Sequence, residues 1–499
     1  MFVHELIYQG KADAVAIVDH QRRFTYHDLQ MIVPNCRNRL FAMGIRQGDR
    51  VGIFSRNSAD FIFAYLAIAS LGAIAVPINF QLSSREVAFI VKDAGIQHIF
   101  TYKPLNLADA MAALRCDLKV VQHDIRLCSK IDADIPAASV LAADFSEQNP
   151  CVIIYTSGTT GTPKGAVLSH RNLIANTEQM SIMQCNSQHN VLCVLPMYHC
   201  FGWTCSVLYP LYCGAEVVIL DSFTPKETIS VIREEKITDI YIVPSICSLL
   251  TKLASKEDMA SLRLVVSGGT TLPLKIEQDF MQKFGVDICE GYGLSETAPV
   301  LTMNPPQRPK VGSCGAVLAG IEWKIIDAAG NSVPQGGIGE LVVKGENVML
   351  GYWNMPDVTE DVLRGGWFHT GDVVRADKDG YIFIVDRIKD MIISMGENIY
   401  PREVEELIYQ FPGIFEAAVV GIDDKLRGQA GACFYSVHEG AQINIRELKK
   451  FLQANLALYK IPREFHQMAK LPRTTTGKIA KRLIWQEFQA SKSKTINDK

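Results

Sequence analysis

Short apolar runs that alternate with helical segments constrain the fold of this 499-residue chain more than any other feature. Residues 51–54 and 75–78 have the composition of buried strands, and residues 59–71 between them have that of a helix. Two strands joined by a helix form a parallel βαβ unit. The same alternation continues to about residue 284. The pattern therefore predicts an α/β fold built on parallel-rich sheets.

The second part of the chain has a different sequence pattern. From about residue 312, short strands and glycine turns predict an antiparallel region that includes residues 323–326, 339–343 and 381–385. After Arg387, alternating helices and strands continue to about residue 485 and predict a separate domain of about a hundred residues. We expect an N-terminal domain over 1–387, a C-terminal domain over 388–499, and a disordered tail over 491–499.

Composition excludes several classes of function. A net charge of −3 does not indicate the excess of basic residues that is typical of nucleic-acid-binding proteins. The thirteen cysteines are scattered without a C-x-x-C pair, which argues against a disulfide framework or a zinc site and suits a reducing cytoplasm. The first residues do not resemble a signal peptide, and no stretch approaches the ~20 apolar residues of a membrane span. We expect a cytoplasmic protein without a transmembrane segment.

The most informative motif follows the apolar run 152–155. It contains five hydroxyl residues, three glycines and one lysine between positions 156 and 165. Glycines let the backbone turn and approach a ligand, and N–H, hydroxyl and ammonium donors suit a phosphate chain. The spacing is not the Walker A pattern, because Gly165 stands where that pattern has a hydroxyl. A flexible linker is the alternative. The predicted phosphate-binding residues are Thr156, Ser157, Gly158, Thr159, Thr160, Thr162 and Lys164.

Three clusters between residues 196 and 297 carry further candidates. His199 follows a predicted strand, where a structural histidine is also common. Gly268 and Gly269 form a turn against which a flat ring could pack. Tyr292 lies between glycines and could stack on a base, and Glu296 could bind Mg²⁺ together with substrate phosphates. Each cluster alone is equally typical of a structural residue or a glycine-rich turn.

Three later clusters are individually weak as well. Asp372 follows a turn, where a carboxylate can accept hydrogen bonds from ribose hydroxyls. Arg387 and Lys389 belong to a run of four charges over residues 386–390. A hydroxyl-rich turn over 472–478 presents Lys478. Solvated surface turns are the alternative for all three.

Taken together, these motifs resemble the AMP-forming acyl-CoA synthetases of the adenylate-forming superfamily, which also includes beetle luciferases and peptide-synthetase adenylation domains. The resemblance covers about residues 10–485, with six motifs in the family's order, and the run 386–405 looks most like bacterial fatty-acyl-CoA ligases. It implies a large N-terminal domain of two parallel-rich sheets plus a distorted β-barrel. It also implies a small mobile α+β C-terminal domain with its hinge at Lys389.

The resemblance also implies roles for individual residues. The loop would hold the β- and γ-phosphates of ATP, Tyr292 and the Gly268 turn would sandwich adenine, and Ser295 would contact phosphate. Glu296 would bind Mg²⁺, and Lys478 would reach in from the C-terminal domain. The implied catalytic residues are Lys478, His199, Glu296 and Thr160. The remaining nucleotide or CoA contacts would come from Gly269, Glu290, Gly291, Gly293, Asp372, Arg387, Lys389 and, along the thiol channel, Gly396.

The implied reaction has two steps. A carboxylate attacks the α-phosphate of ATP to form an acyl-adenylate and pyrophosphate, and the CoA thiolate then displaces AMP. Because two anions must meet in the first step, Mg²⁺, Lys478 and the loop donors would supply electrostatic stabilisation. Lys478 would assist the first step and obstruct the second, which accounts for a domain that turns away. One departure is Ile393, where many relatives have a second lysine.

The identity of the acid is constrained only weakly. The run 201–207 contains no acidic residue that could pair with an α-ammonium group, so an amino-acid substrate is disfavoured. Gly293 stands where acetate-activating relatives have tryptophan, which predicts room for a longer chain. An apolar pocket suits an alkyl or aryl tail. We expect a medium- or long-chain fatty acid, with an aryl acid such as coumarate or benzoate as the alternative. The predicted lining is Phe201, Trp203, Val243, Pro244, Gly268, Gly291, Gly293, Pro299 and Val300.

Other functions remain open at this stage. The chain could be a non-catalytic nucleotide-binding protein, could pass its acyl group to a carrier protein, or could be a luciferase-type oxygenase, which Ile393 disfavours. Related synthetases are inactivated by acetylation of the lysine equivalent to Lys478, so an acetyltransferase is a candidate partner. The sequence does not determine the oligomeric state, and a homodimer is one option.

Overall fold

A computed structural model describes residues 1–156, 163–395, 397–424, 426–473 and 479–497, and the side chains as far as Gln489. The chain divides into two compact units. The first comprises Met1–Trp323 and Val343–His369, and the second comprises Lys324–Val342 and Thr370–Lys499. The predicted boundary at 387 and the hinge at Lys389 concern a movement of the C-terminal part, and both stay predictions.

A nine-stranded sheet in the first unit has a parallel centre. Its five central pairings are parallel and its three outer pairings are antiparallel. The carboxyl ends of the parallel strands therefore meet at one edge, where ligands bind in open α/β sheets. In spatial order the strands are Ala316–Val317, Val300–Met303, Ile288–Gly293, Leu264–Ser267, Asp239–Ile242, Asn190–Cys193, Glu216–Ile219, Val15–Asp19 and Arg22–Thr25.

A seven-stranded sheet is the second layer of this unit. Four of its pairings are parallel, and an antiparallel hairpin closes one side. The two sheets confirm the expected parallel-rich architecture. In spatial order the strands are Gly351–Tyr352, Lys164–Ser169, Pro150–Thr156, Ile74–Pro77, Arg50–Phe54, His98–Thr101 and Val121–Asp124.

Helices cover these sheets. Ala59–Ser70 is buried at all twelve positions, as expected for a helix enclosed by other layers. The Ser58 hydroxyl caps it by accepting from the Phe61 amide at 3.2 Å. The other helices are Tyr26–Ala42, Ser84–Ala94, Ala108–Ala113, His170–Gln179, Cys200–Trp203, Tyr209–Tyr212, Pro225–Glu234, Pro244–Leu253, Leu274–Phe284 and Pro356–Val362. A π-helical turn, Thr204–Leu208, joins Cys200–Trp203 to Tyr209–Tyr212.

Two further sheets involve the second unit. Where the resemblance implies a distorted barrel, a four-stranded sheet is formed by Glu322–Ile326, Ile338–Lys344, Phe368–Ala376 and Ile382–Arg387. The five-stranded sheet consists of Glu397–Ile399, Ile392–Ser394, Gly428–Val437, Ile414–Asp424 and Glu464–Gln467. The helices Pro401–Tyr409 and Ile445–Asn455 cover its core through Val404, Ile408, Leu448 and Leu452.

The prediction of a disordered tail over 491–499 is wrong for residues 491–497, because the last helix extends over Lys481–Asn497. Ile484 and Phe488 pack into an apolar cluster with the sheet, and an anchored helix propagates at low cost. Within the part of the chain that the structure describes, no helix has both the length and the apolar character needed to span a membrane.

Candidate functional site

An antiparallel hairpin frames the predicted phosphate loop. Thr156 and Lys164 form the last pair between its two strands, and the Thr156 hydroxyl lies 3.5 Å from the Lys164 carbonyl oxygen. The two ends of the loop are therefore held together at one point. The five predicted contacts between them lie outside the described residues: Ser157, Gly158, Thr159, Thr160 and Thr162.

Close packing explains why Gly165 stands where the Walker A pattern has a hydroxyl residue. A Cβ atom at Gly165 would lie 2.7 Å from Ile153 Cγ2 and 3.2 Å from the Tyr155 ring. Trp353 Cβ, directly after the strand Gly351–Tyr352, would be 3.4 Å away. A serine or threonine would therefore have to displace neighbouring side chains.

A tyrosine that the sequence analysis missed connects two predicted residues. The Tyr352 hydroxyl donates a hydrogen bond to Glu296 Oε1 at 2.7 Å, and the Lys164 ammonium lies 5.2 Å from the centroid of the Tyr352 ring. The phosphate-loop lysine and the predicted metal ligand thus lie around one aromatic side chain. The sequence showed only a Gly-Tyr-Trp run at 351–353, which carries no chemical signal.

The two predicted adenine elements lie on neighbouring parallel strands, where Ser267 pairs with Glu290. A Cβ atom at Gly268 would lie 3.0 Å from the Phe201 ring and 3.4 Å from the Gly291 carbonyl oxygen, so the turn and the Tyr292 strand approach closely. Glu290 is buried, and its Oε1 accepts from the Leu272 amide at 3.2 Å. Its carboxylate therefore fixes the turn over 268–272, a structural contact that the predicted nucleotide role did not anticipate.

Gly293 is required by the backbone. A Cβ atom there would lie 1.8 Å from the Pro299 carbonyl oxygen and 3.0 Å from Val300 Cα. Main-chain atoms cannot give way as side chains do, so no side chain fits in this conformation. The Pro299 main chain thus gives Gly293 a structural role, and the predicted room for a longer acyl chain stays a prediction.

Two motifs that are far apart in sequence meet at Cys200. His199 Nδ1 accepts from the Phe201 amide at 3.2 Å and caps the helix Cys200–Trp203, while Cys200 Sγ lies 3.2 Å from the Ser295 hydroxyl oxygen. Because Nδ1 accepts a hydrogen bond from the Phe201 amide, a neutral ring carries its proton on Nε2. In that tautomer Nε2 is the donor of the His199 ring.

Asn57 holds the loop that carries His199. Its buried amide donates to the carbonyl oxygens of Leu195 at 2.9 Å and Leu220 at 3.0 Å, and its Oδ1 accepts from the Met197 amide at 2.8 Å. All three partners are main-chain atoms, so the loop conformation depends on one side chain from a distant segment. Nothing in the sequence around Asn57 predicted this role.

Three residues of the predicted acid-pocket lining, Phe201, Trp203 and Val243, differ in burial and neighbours. The Phe201 ring is half-buried and perpendicular to Tyr241, with 6.4 Å between centroids. Val243 Cγ1 would lie 3.7 Å from a Cβ atom at Gly269, which itself has φ +79°. Trp203, by contrast, is 2% exposed, and its ring centroid lies 4.2 Å from that of the buried Tyr65, so it packs within the core.

Asp372, the predicted ribose ligand, forms an ion pair in the second unit with Arg387, a predicted nucleotide contact. Asp372 and Arg387 are partners in the register of Phe368–Ala376 and Ile382–Arg387, and Arg387 Nε donates to Asp372 Oδ1 at 2.8 Å. The Asp372 side chain is 3% exposed and that of Arg387 is 42% exposed. The arrangement presents a buried acceptor beside an accessible cation.

Charged side chains also organise the segment after Arg387. Asp386 Oδ2 accepts from the Arg402 amide at 2.9 Å and caps the helix Pro401–Tyr409. Burial raises the pKa of Asp386, an effect that the Lys481 charge opposes. Lys481 itself pairs with Glu405 at 2.8 Å. Lys389 is exposed, and the predicted residues Gly396 and Lys478 lie outside the described residues.

The chain matches known protein families along most of its length. Residues 6–353 match the AMP-binding enzyme family, and residues 403–478 match the AMP-binding enzyme C-terminal domain. A feruloyl-CoA synthase from an Amycolatopsis species is 34% identical, with 95% of this chain and 96% of the relative aligned. A long-chain-fatty-acid–CoA ligase of Bacillus subtilis is 32% identical, with 95% and 92% aligned.

Solved structures show the same similarity. The O-succinylbenzoate coenzyme A synthetase (MenE) of Bacillus subtilis, in complex with ATP and a magnesium ion, superposes with a TM-score of 0.84 at 28% identity. The alignment covers 96% of this chain and 98% of that one. The predicted α/β architecture, with a large N-terminal and a smaller C-terminal domain, is confirmed.

Proposed function

Because this chain belongs to the AMP-binding enzyme family, we propose that it activates a carboxylic acid with ATP and transfers the acyl group to coenzyme A. The predicted family and the predicted class, an AMP-forming acid–CoA ligase, are confirmed by the matches above. Beyond this class, we propose the identity of the acid and the roles of individual residues.

One contact carries the proposal: Cys200 Sγ and the Ser295 hydroxyl oxygen are 3.2 Å apart. This contact joins the His199 loop, which we assign to the carboxylate, to the segment of Glu296, which we assign to the phosphates. An acyl-adenylate forms only where these two groups meet, because the carboxylate oxygen must approach the α-phosphorus in line. A protein that merely binds nucleotide has no need for this juxtaposition.

In the first step, the acid oxygen bonds to the α-phosphorus and the bond to pyrophosphate breaks. We assign His199 Nε2 to orienting the carboxylate, and Thr156 and Lys164 to the β- and γ-phosphates. The Asp372–Arg387 pair is assigned to the ribose. Lys478 is assigned to the developing charge on the phosphates.

Glu296 fits a magnesium ligand, because a hard cation prefers carboxylate oxygens and Tyr352 occupies only Oε1. When bound, Mg²⁺ neutralises phosphate charge. In the second step, the CoA thiolate attacks the acyl carbonyl and AMP leaves. We assign Gly396 to the path of the thiol, and we propose that the C-terminal domain turns about Lys389 between the steps.

A fatty acid of medium or long chain is the acid that we propose. The half-buried Phe201 ring, Val243 and the glycine turn at 268 give an apolar wall, and each buried methylene contributes about 0.8 kcal/mol. The 32% identical fatty-acid ligase supports this choice. An aryl acid is the second candidate, since the feruloyl-CoA synthase is 34% identical and the half-buried Phe201 ring offers a flat surface, which the buried Tyr241 ring supports edge to face.

The test is pyrophosphate–ATP exchange and AMP release over a panel of acids of graded length and ring content. We expect exchange with one class of acid without CoA, and AMP release only when CoA is added. Absence of pyrophosphate–ATP exchange with every acid would refute the proposal. AMP release with a carrier protein but not with CoA would show that the acyl acceptor is a carrier protein.

The division of labour has its own test. Lys478→Ala should reduce adenylate formation by orders of magnitude yet spare thioester formation from a supplied acyl-adenylate. Equal losses in both half-reactions would contradict the role assigned to Lys478. Lys252→Ala, on a helix of the first unit, is the matched control for loss of a lysine charge.

A further inference from the structure

Tyr352 lies between two opposite charges that both belong to the proposed site. Its hydroxyl contacts Glu296 at 2.7 Å, and its ring lies 5.2 Å from the Lys164 ammonium. Among the ion pairs formed by the described residues, none joins Lys164 to Glu296. The two charges therefore share a neutral neighbour instead of contacting each other.

This arrangement has a physical consequence. An ammonium and a carboxylate in a partly buried site attract each other, and direct pairing would neutralise both groups that a nucleotide needs. A phenol satisfies each of them differently, through an O–H donor for the carboxylate and a π face for the cation. Neither interaction cancels the charge.

We propose that Tyr352 is the positioning residue of the triphosphate site, holding Glu296 for the metal ion and Lys164 for the phosphates; this inference rests on the proposed function. The hydroxyl engages Oε1 and leaves Oε2 for the cation. Hydrogen-bonded partners of metal-binding carboxylates orient them and typically change metal affinity 10- to 100-fold when removed.

The backbone ties Tyr352 to both charges. The Met349 amide donates to the Glu296 carbonyl oxygen at 2.8 Å, and the Trp353 amide donates to the Gly165 carbonyl oxygen at 2.7 Å. The Tyr352 amide donates to the Thr359 hydroxyl at 2.8 Å.

Two substitutions separate the two contacts. Tyr352→Phe removes the bond to Glu296 and keeps the ring beside Lys164, whereas Tyr352→Leu removes both. The test is to measure ATP binding by calorimetry over a Mg²⁺ titration, with pyrophosphate–ATP exchange measured in parallel. Tyr352→Phe should raise the Mg²⁺ concentration for half-maximal binding about tenfold, with ATP affinity at saturating Mg²⁺ nearly unchanged. Tyr352→Leu should also weaken ATP binding at saturating Mg²⁺.

A matched control and a coupling test distinguish positioning from general stabilisation. Tyr155 donates to Asp93 Oδ2 at 2.5 Å on the same sheet, so Tyr155→Phe removes a comparable bond away from Glu296. Its Mg²⁺ dependence should equal that of the wild type. In a Glu296→Gln background, Tyr352→Phe should no longer shift the Mg²⁺ dependence, because the two residues act as one unit.

The outcomes are separable. An unchanged Mg²⁺ dependence of ATP binding in Tyr352→Phe, or an equal shift in Tyr155→Phe, overturns the inference about Tyr352. Absence of exchange in the wild type with every acid overturns the proposed function, whereas the calorimetric Mg²⁺ dependence still decides whether Tyr352 positions Glu296.

Discussion

The half-buried His4 and the buried His170, whose rings pack against each other, should make the first unit sensitive to acid. His170 Nδ1 accepts a hydrogen bond from the Val3 amide at 3.3 Å, and His170 Nε2 has no partner among the described residues. His4 Nδ1 also has no partner among them. The rings pack edge to face at 6.1 Å, and the Met1 ammonium is nearby, paired with Glu147 at 2.7 Å. A second proton would bring an unpaired charge into this cluster.

The magnitude follows from linkage. Burial lowers the pKa of His4 to about 4 and that of His170 to about 3, and for His170 the His4 charge contributes in the same direction. In the unfolded chain both are near 6.5, so the unfolded state takes up protons first as pH falls. Stability is therefore lost below about pH 6.5, and the loss continues down to the folded-state values. Between pH 7.5 and 5 each histidine should cost about 2 kcal/mol.

Urea unfolding at several pH values, followed by tryptophan fluorescence, measures this loss. His4→Phe keeps an aromatic ring without a titrating group and should reduce the fall in unfolding free energy between pH 7.5 and 5 by about 2 kcal/mol. His27→Asn, at an exposed position of the same unit, is the control and should leave the pH dependence unchanged. A His4→Phe profile that runs parallel to the wild type would refute the reasoning.

Three further predictions concern the site and the thiols. Gly293→Ala should destabilise the protein by several kcal/mol in thermal unfolding, because its Cβ would overlap the Pro299 carbonyl oxygen; a loss below about 1 kcal/mol would show that the strand can move. Asp372→Asn should weaken ATP binding about tenfold in calorimetry, since a neutral amide accepts more weakly from ribose and loses its pair with Arg387; unchanged affinity would contradict the ribose assignment. Cys213 should react first with iodoacetamide in peptide mapping, because the Cys185 thiol lowers its pKa; equal labelling of fully buried cysteines would contradict this order.

Local patterns predicted the elements that carry the site. The strands predicted over 51–54 and 75–78 are found as Arg50–Phe54 and Ile74–Pro77, and the helix predicted over 59–71 is found as Ala59–Ser70. These elements depend on periodicity and turn residues within a few positions, which a single sequence contains. The family also followed from the order of its motifs, since several short motifs together are far more specific than any one of them.

Contacts between distant segments were not accessible in this way. Tyr352 and Glu296 are 56 positions apart, and Asn57 and Met197 are 140 apart. Their side chains meet because strands from different parts of the chain become neighbours, and no periodic pattern records which polar groups then face each other. Glu290 illustrates the same limit, because its buried carboxylate is used by the Leu272 amide.

The sequence by itself determined the class of fold, the order of the chemical motifs and the family. Tertiary structure alone decided that Gly293 is required by the Pro299 backbone, and that Tyr352 separates Glu296 from Lys164. The physical reason is that secondary structure follows from interactions over one or two turns of chain. A site, by contrast, depends on which atoms fill the space between segments that only packing brings together.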